Sequence, residues 1–177
     1  MKIGIDIGGS HIAVGVIGEN GNIINKIEQD IKVEDNINKY IVKFVDETIQ
    51  RLSQNETIDK IGIAVPGSYE GYKAKNLVNL GIKEIDFSHL AKKYNTNLSI
   101  VNDAKAAGIA EKKYGSLKNY KYCIFLCLGT GIGGAAFLDE KLLKTYRSPG
   151  FEIGHMVIDK NGEKCKCGKN GCFETFC

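Results

Sequence analysis

Apolar and polar residues alternate along the first part of the chain, as they do in half-buried strands. Lys2–Ile7 alternate and stop at a glycine pair, His11–Ile17 resume the pattern, and Ile23–Ile27 follow a Gly-Glu-Asn-Gly turn. Short runs of this kind separated by glycine turns predict an antiparallel meander of three strands. From about Glu34 to Leu52 the apolar residues recur every three or four positions instead. That spacing predicts an amphipathic helix.

Short strands and helices alternate along the rest of the chain. The predicted strands are Ile61–Val65, Leu98–Val101, Tyr120–Leu128 and Gly133–Leu138. The predicted helices are Ser88–Lys93 and Ala104–Lys113. The last two strands are joined by a glycine-rich turn. Strands first, followed by alternation with helices, predict an α/β fold with a mixed sheet.

A polar stretch with the sequence YGSLKNYK, at residues 114–121, is the predicted domain boundary, because it combines Gly, Ser, Asn and Lys between two apolar elements. We therefore predict a small α/β domain over residues 1–115 and part of a larger domain over residues 116–177. Cys172–Cys177 have the character of the first turns of a helix. The second domain is accordingly expected to be truncated at its C-terminus.

Composition narrows the class of protein. The chain is 43% hydrophobic and 25% charged, and it contains no apolar run long enough to span a bilayer. The N-terminus lacks the charged-then-apolar layout of a signal peptide. Three of the six cysteines are bunched with metal-site spacing, which favours a reduced, cytoplasmic setting over disulfides. The formal net charge of +3 is too small to indicate nucleic acid, and no membrane partner is expected.

The C-terminal segment has the pattern of a metal site. One histidine, His155, precedes three closely spaced cysteines, Cys165, Cys167 and Cys172, within a stretch rich in glycine, lysine and asparagine. Zinc favours four tetrahedral ligands drawn from thiolate sulfur and imidazole nitrogen. Close Cys-x-Cys spacing beside glycine turns lets the backbone wrap a small ion. The sequence therefore predicts a zinc site formed by these four residues.

Two glycine-rich turns follow predicted strands and are candidates for binding phosphate. A residue without Cβ lets backbone N–H groups approach phosphate oxygens. The candidate residues are Asp6, Gly8, Gly9, Ser10, Gly129, Thr130, Gly131 and Gly133. Neither turn has the Walker A or dinucleotide pattern, and a tight hairpin explains either one taken alone. Asp6 favours the phosphate interpretation, because an acid before such a turn can hold Mg²⁺ against bridging phosphates.

Asn102 and Asp103 stand where a predicted strand is followed by a helix. Such a position is accessible at the edge of a sheet and suits a general base. Spacing alone favours a helix cap for Asp103, and the two roles are compatible. Asn79, in the turn Asn-Leu-Gly, indicates no more than a loop by itself.

Taken together, these motifs resemble the ROK family of sugar kinases and sugar-sensing repressors. The matching motifs are D-I-G-G-S at Asp6, N-L-G at Asn79, N-D-A at Asn102, L-G-T-G-I-G-G at Leu128, E-I-G-H at Glu152, and C-x-C-G-x-x-G-C-x-E ending at Glu174. Their order and approximate spacing match along the whole chain, and the last motif is specific. The chain is most similar to the zinc-containing, glucokinase-like branch, which shares the ATPase fold of actin and hexokinase. The resemblance covers only the N-terminal part of a typical member.

The resemblance implies ATP-dependent phosphorylation of a hexose or N-acetylhexosamine, usually at the 6-OH. Asp103 would be the general base that accepts the hydroxyl proton as the oxygen attacks the γ-phosphate of ATP. Mg-ATP would bind at the two glycine turns, with Asp6 holding magnesium. The zinc would be structural, because four protein ligands leave no open position for water. The residues implied to bind the sugar are Asn79, Asn102, Asp103, Glu152, His155 and Glu174. A homodimer is also implied.

Two residues depart from the family pattern. His11 stands where the family often has lysine, and Phe151 stands where it has glycine, although phenylalanine tolerates few of the backbone angles open to glycine. Two alternative functions remain: a truncated sugar-binding module without turnover, and a ROK-type sugar-responsive repressor. The repressor is less favoured, because those members carry a helix-turn-helix ahead of the first glycine turn, whereas here the first strand begins at Lys2.

Overall fold

A computed structural model describes residues 1–31, 36–129, 131–144 and 150–177. Its strands are β1 Lys2–Ile7, β2 His11–Ile17, β3 Ile23–Asp30, β4 Lys60–Val65, β5 Ser68–Glu70, β6 Lys73–Leu77, β7 Ile82–Asp86, β8 Asn97–Asn102, β9 Cys123–Leu128, β10 Ile132–Leu138 and β11 Lys141–Leu142. Its α-helices are α1 Ile37–Ser53, α2 Ser88–Lys93 and α3 Asp103–Tyr114. Within the described ranges, every helix is too short or too polar to cross a membrane.

Contacts divide these residues into two compact units, Met1–Asp103 and Ala104–Cys177. The first unit is built on a mixed five-stranded sheet in the order β3-β2-β1-β4-β8. β1, β2 and β3 pair antiparallel, which confirms the predicted meander. β4 pairs in parallel with both β1 and β8. The carboxyl ends of β1, β4 and β8 therefore lie at one edge of this sheet.

Helix α1 covers the sheet with a regular apolar face. Ile41, Val45 and Ile49 are fully buried at intervals of four residues, which confirms the amphipathic helix. The helix begins at Ile37, where the Asn36 side chain accepts a hydrogen bond from the Lys39 N–H at 3.1 Å and so caps the first turn. The predicted start near Glu34 lies outside the described residues.

A second sheet in the first unit, in the order β5-β6-β7, was not predicted. Its strands expose many charged side chains, as in the ion pair between Lys73 Nζ and Glu84 Oε1 at 2.7 Å. Their apolar positions are few, and the buried residues of β6 and β7 are three positions apart instead of alternating. The predicted loop at Asn79 is the 3₁₀ turn Val78–Leu80, which joins β6 to β7.

The second unit has an antiparallel sheet in the order β11-β10-β9, and helix α3 packs on it through small residues. A Cβ atom at Gly108 would come within 2.6 Å of Ala135 Cβ, and one at Gly133 within 2.6 Å of Ala104 Cβ. Close packing of the helix on β10 therefore requires both glycines. β9 and β10 form the predicted hairpin, although β9 begins at Cys123 and is shorter than predicted.

The C-terminal part of the second unit has little regular structure. It contains the 3₁₀ turns Ile153–His155 and Phe173–Phe176, and an isolated antiparallel bridge between Val157 and Cys172. The second turn occupies the place of the predicted terminal helix. The sequence divides between the two compact units after Asp103. The assignment of domains to residues 1–115 and 116–177 remains a prediction.

Candidate functional site

The first glycine turn closes directly after β1. The Gly8 N–H donates to the His11 carbonyl oxygen at 2.9 Å, and the Ser10 carbonyl accepts from the Ile31 N–H at 2.8 Å. Asp6 is exposed, and its Oδ2 lies 3.8 Å from His11 Nε2. A Cβ atom at Gly8 would come within 2.8 Å of His11 Cε1. The imidazole therefore packs over the turn, beside the carboxylate predicted to hold magnesium.

Asn79 lies against this same turn. A Cβ atom at Gly9 would lie 3.3 Å from Asn79 Cβ and 3.5 Å from its Nδ2. The 3₁₀ turn that carries Asn79 ends at Gly81, whose φ of 67° is one that glycine adopts readily. A residue predicted to bind phosphate and one predicted to bind sugar are therefore neighbours.

Asn102 ends β8, and Asp103 is the first residue of α3, so the helix begins one residue before the predicted start at Ala104. The Asn102 amide Nδ2 donates to the Gly67 carbonyl oxygen at 3.5 Å. β8 lies two strands from β1, and both strands end at the same edge of the sheet, so Asp103 and Asp6 lie at one edge with β4 between their strands. An acid in the first helical turn is also favoured by the helix dipole, so Asp103 suits both predicted roles.

The second unit brings the four predicted metal ligands together. One ligand atom from each of His155, Cys165, Cys167 and Cys172 lies within 4.8 Å of all the others. Cys167 Sγ is 3.5 Å from Cys172 Sγ, and Cys165 Sγ is 3.6 Å from His155 Nδ1. Ligands about 2.0–2.3 Å from a tetrahedral zinc ion are about 3.5–3.8 Å from one another. The donor set and spacing can therefore hold such an ion.

Glycines make the tight turns of this cluster possible. The Gly168 N–H donates to the Cys165 carbonyl at 2.9 Å, and the Cys165 N–H donates to the Lys169 carbonyl at 2.8 Å. Gly168 and Gly171 have φ values of 92° and 61°. A Cβ atom at Gly171 would overlap the Asp159 carbonyl. The glycine content of the segment is thus a requirement of the loop that carries the cysteines.

The thiols of the cluster have different environments. A hydrogen bond from Cys165 Sγ to Glu174 Oε1, 2.9 Å long, raises the pKa of Cys165 to about 12. Burial raises the pKa of Cys172. A backbone hydrogen bond from Lys169 lowers the pKa of Cys167. Because metals bind thiolates, a cation bound here would displace these protons.

Glu174 lies between the cluster and the second glycine turn. Its Oε1 is 3.3 Å from His155 Nδ1, and a Cβ atom at Gly131 would come within 2.6 Å of its Oε2. That turn is closed by a hydrogen bond of 3.0 Å from the Gly129 N–H to the Gly131 carbonyl. Thr130 lies outside the described residues. The structure thus places Glu174 against two cluster ligands, and its contact with sugar remains a prediction.

Glu152 is exposed just before the 3₁₀ turn that carries His155, and its carbonyl accepts the His155 N–H at 3.1 Å. The preceding residue, Phe151, has a φ of 52°. Glycine adopts this left-handed conformation freely, whereas another residue is strained there by about 1–3 kcal/mol. The departure from the family pattern at Phe151 therefore falls where the backbone needs a glycine-like conformation.

Comparison with known proteins gives the family. A family model described as the ROK family matches residues 2–177. This chain belongs to the ROK family. Among curated ROK relatives, the glucokinase of Thermotoga maritima is 34% identical over 98% of this chain, and the xylose repressor of Bacillus spizizenii is 34% identical over 99%. The chain spans about half the length of these relatives, 56% and 47% respectively.

Solved ROK structures share the fold. A ROK family glucokinase from Streptomyces griseus, in complex with glucose and AMPPNP, superposes with a TM-score of 0.82 at 27% identity, covering 99% of this chain and 56% of that protein. The ROK hexokinase of Thermus thermophilus gives a TM-score of 0.78 at 25% identity, covering 98% of this chain and 58% of that protein. The predicted α/β, actin-like fold is therefore confirmed.

Lys105 of this ROK chain contacts a predicted sugar-binding residue, Glu152, although the sequence patterns did not indicate it. It is only 2% exposed, and its Nζ lies 3.3 Å from Glu152 Oε1. A lysine within a helix is ordinarily assigned to the solvent face. Its burial could have been predicted from its position in the sequence between the small residues Ala104 and Gly108, which are the other buried residues of α3.

The Glu152–His155 segment of this ROK chain packs against β10 at Gly154. A Cβ atom at Gly154 would overlap the Ile132 carbonyl oxygen.

We expect Gly154→Ala to lower the free energy of unfolding by about 1–3 kcal/mol, because the segment must move away from the strand. Urea unfolding measures the change. Gly62→Ala is the matched control, because a Cβ atom there meets nothing within 4 Å. Equal midpoints for the two variants would contradict the packing role of Gly154.

Proposed function

We propose that this chain carries the acceptor and phosphate sites of an ATP-dependent sugar kinase that phosphorylates a hexose or N-acetylhexosamine at its 6-OH. The proposal rests on Asp103, which follows β8 at the same sheet edge as the Asp6 glycine turn. In open α/β sheets, ligands bind at the carboxyl ends of the strands. The relatives described as glucokinases support the same reaction.

Asp103 acts as the general base. Its carboxylate accepts the proton of the sugar hydroxyl while the hydroxyl oxygen bonds to the γ-phosphorus of ATP and the bond to the ADP oxygen breaks. Phosphoryl transfer asks the protein chiefly for alignment and charge stabilisation, so one carboxylate directed at the acceptor is sufficient acid–base machinery.

The two glycine turns bind the phosphates of ATP. Backbone N–H groups of Gly9 and Ser10 and of the second turn donate to phosphate oxygens, and the exposed carboxylate of Asp6 would hold magnesium. Magnesium bound there would neutralise part of the phosphate charge. Gly133 lies within β10 and packs on Ala104, so close packing of α3 explains why this position is a glycine.

Zinc is the metal that fits the cluster best, because three thiols and one imidazole are its preferred donors and their ligand atoms here all lie within 4.8 Å of one another. In this role His155, Cys165, Cys167 and Cys172 brace the loop and take no part in the chemistry. The side chains proposed to bind sugar hydroxyls are Asn79, Asn102, Asp103, Glu152, His155 and Glu174. His155 can serve in both roles, because its two ring nitrogens are separate.

Coupled ADP release with a panel of sugars tests the proposal. Glucose, mannose and N-acetylglucosamine carry a 6-OH, whereas xylose matches glucose and lacks that carbon. We expect ADP release with at least one of the first three and none with xylose. Calorimetry on the same panel separates the alternatives. Sugar binding without ADP release supports a binding module, and xylose binding without turnover supports a sensor like the repressor relatives.

A further inference from the structure

Lys105 is a buried cation with a complete set of partners. Its side chain is 3% exposed. Its Nζ donates to the Gly134 carbonyl at 2.6 Å, the Phe151 carbonyl at 3.2 Å and Glu152 Oε1 at 3.3 Å. An ammonium group has three donors, and burying it is costly unless they are hydrogen-bonded. The position of this lysine is therefore fixed by its contacts.

These partners join two parts of the second unit. Gly134 belongs to β10, whereas Phe151 and Glu152 belong to the segment that leads into the His155 turn. The side chain of Glu152 is 46% exposed, so one oxygen faces the buried ammonium while the carboxylate stays open to solvent. An ion pair between two exposed side chains does little to fix the orientation of either one. Here the Lys105 ammonium is buried and held by its other contacts, so it fixes the direction of the Glu152 carboxylate.

Phe151 gives the lysine a second role. Its φ of 52° is strained for a residue with a side chain. The carbonyl of this strained residue accepts a hydrogen bond from Lys105. A glycine at this position would need no such support. The lysine thus stabilises the backbone conformation from which Glu152 projects.

We propose that Lys105 is a positioning residue for sugar binding, whose ammonium group fixes both the Glu152 carboxylate and the backbone at Phe151. This inference rests on the proposed function, in which Glu152 binds a sugar hydroxyl. It assigns no chemistry to Lys105 itself. A positioning role differs from a merely structural one because it predicts a loss of sugar affinity in a folded protein that still binds ATP and metal.

The test compares Lys105→Met with Lys113→Met, a matched change at an exposed position of the same helix. For Lys105→Met we expect the Kd for glucose, measured by calorimetry, to rise about 10- to 100-fold, the loss expected for hydrogen bonds to charged groups. Its Kd for ATP and its metal content stay at the wild-type values. Lys113→Met matches wild type throughout. A Kd for glucose within about twofold of wild type in Lys105→Met overturns the proposal.

A second readout needs no sugar. The His155 N–H is bonded to the Glu152 carbonyl, so hydrogen exchange at this amide reports the order of the segment. We expect faster exchange in Lys105→Met, and unchanged exchange overturns the proposal. If wild type binds no sugar, the proposed function fails, while this readout still decides whether Lys105 holds the segment.

A double variant tests the proposal in case Lys105→Met does not fold. In the double variant Lys105→Met/Phe151→Gly, glycine adopts the left-handed conformation unaided, so the fold is expected to be restored. Glucose affinity stays low, because Glu152 is still unsupported. Wild-type glucose affinity in this folded double variant overturns the proposal.

Discussion

Asp103→Asn is expected to lower kcat for sugar phosphorylation by about 10²- to 10⁴-fold, the usual contribution of a general base. The amide has the shape of the carboxylate but cannot accept the hydroxyl proton. Asparagine has nearly the size of aspartate and keeps one acceptor oxygen at the start of α3, and losing the charge from the first helical turn costs only about 0.3–1 kcal/mol, so the fold is retained. Coupled ADP release gives kcat, and calorimetry shows a glucose affinity within a few-fold of wild type.

Asp86→Asn is the matched control for this prediction. Asp86 also precedes a short helix, and its Oδ1 accepts the Ser88 N–H at 2.7 Å, so the same chemical change is made at another helix start. Its kcat should equal that of wild type. If Asp103→Asn keeps a kcat within a few-fold of wild type, Asp103 is not the base.

The metal cluster should give the second large effect. We expect Cys165→Ser to reduce bound zinc from about one equivalent per chain to nearly none, because the buried sulfur is lost from a four-ligand site. Structural zinc contributes about 10–16 kcal/mol of folding free energy in small zinc peptides. The loop should therefore lose its order. Elemental analysis gives the metal content, and hydrogen exchange at the Cys165 and Gly171 amides reports the loop.

Cys177→Ser controls for the loss of a thiol. Cys177 is exposed and lies outside the cluster, so its replacement should leave zinc content and exchange unchanged. Glucose affinity should fall in Cys165→Ser, because His155 belongs to the cluster and Glu174 contacts it. Full zinc occupancy in Cys165→Ser would show that the metal site is wrongly assigned.

Periodicity predicted the parts of the fold whose apolar faces are regular. β1, β2 and α1 are of this kind, because each buries one apolar face, whereas β3 is mostly exposed and was predicted from its place after a glycine turn. The β5-β6-β7 sheet escaped prediction because its strands are short and carry charged side chains such as Lys73 and Glu84. Side-chain pairing across these strands is a property of the folded state, and a single sequence does not display it.

Some residues of the candidate site could be predicted from the sequence, and others could not. The ligands of the metal cluster are close in sequence, so spacing alone predicted which residues come together. Lys105 and Glu152 are far apart in the sequence, and a lysine in a helix gives no sign that it is buried. The contact of Glu174 with His155 and Cys165 likewise depends on how the loop turns back, which the glycines permit but do not specify.

Transfer of phosphate to the sugar decides whether this chain is a kinase. The protein is incubated with ATP, Mg²⁺ and each sugar, and the products are measured by mass spectrometry. We expect one sugar monophosphate for each ADP formed with a sugar that has a 6-OH, and no product with xylose or with Asp103→Asn. ADP formed without any sugar phosphate, or sugar that binds and stays unmodified, would contradict the kinase assignment.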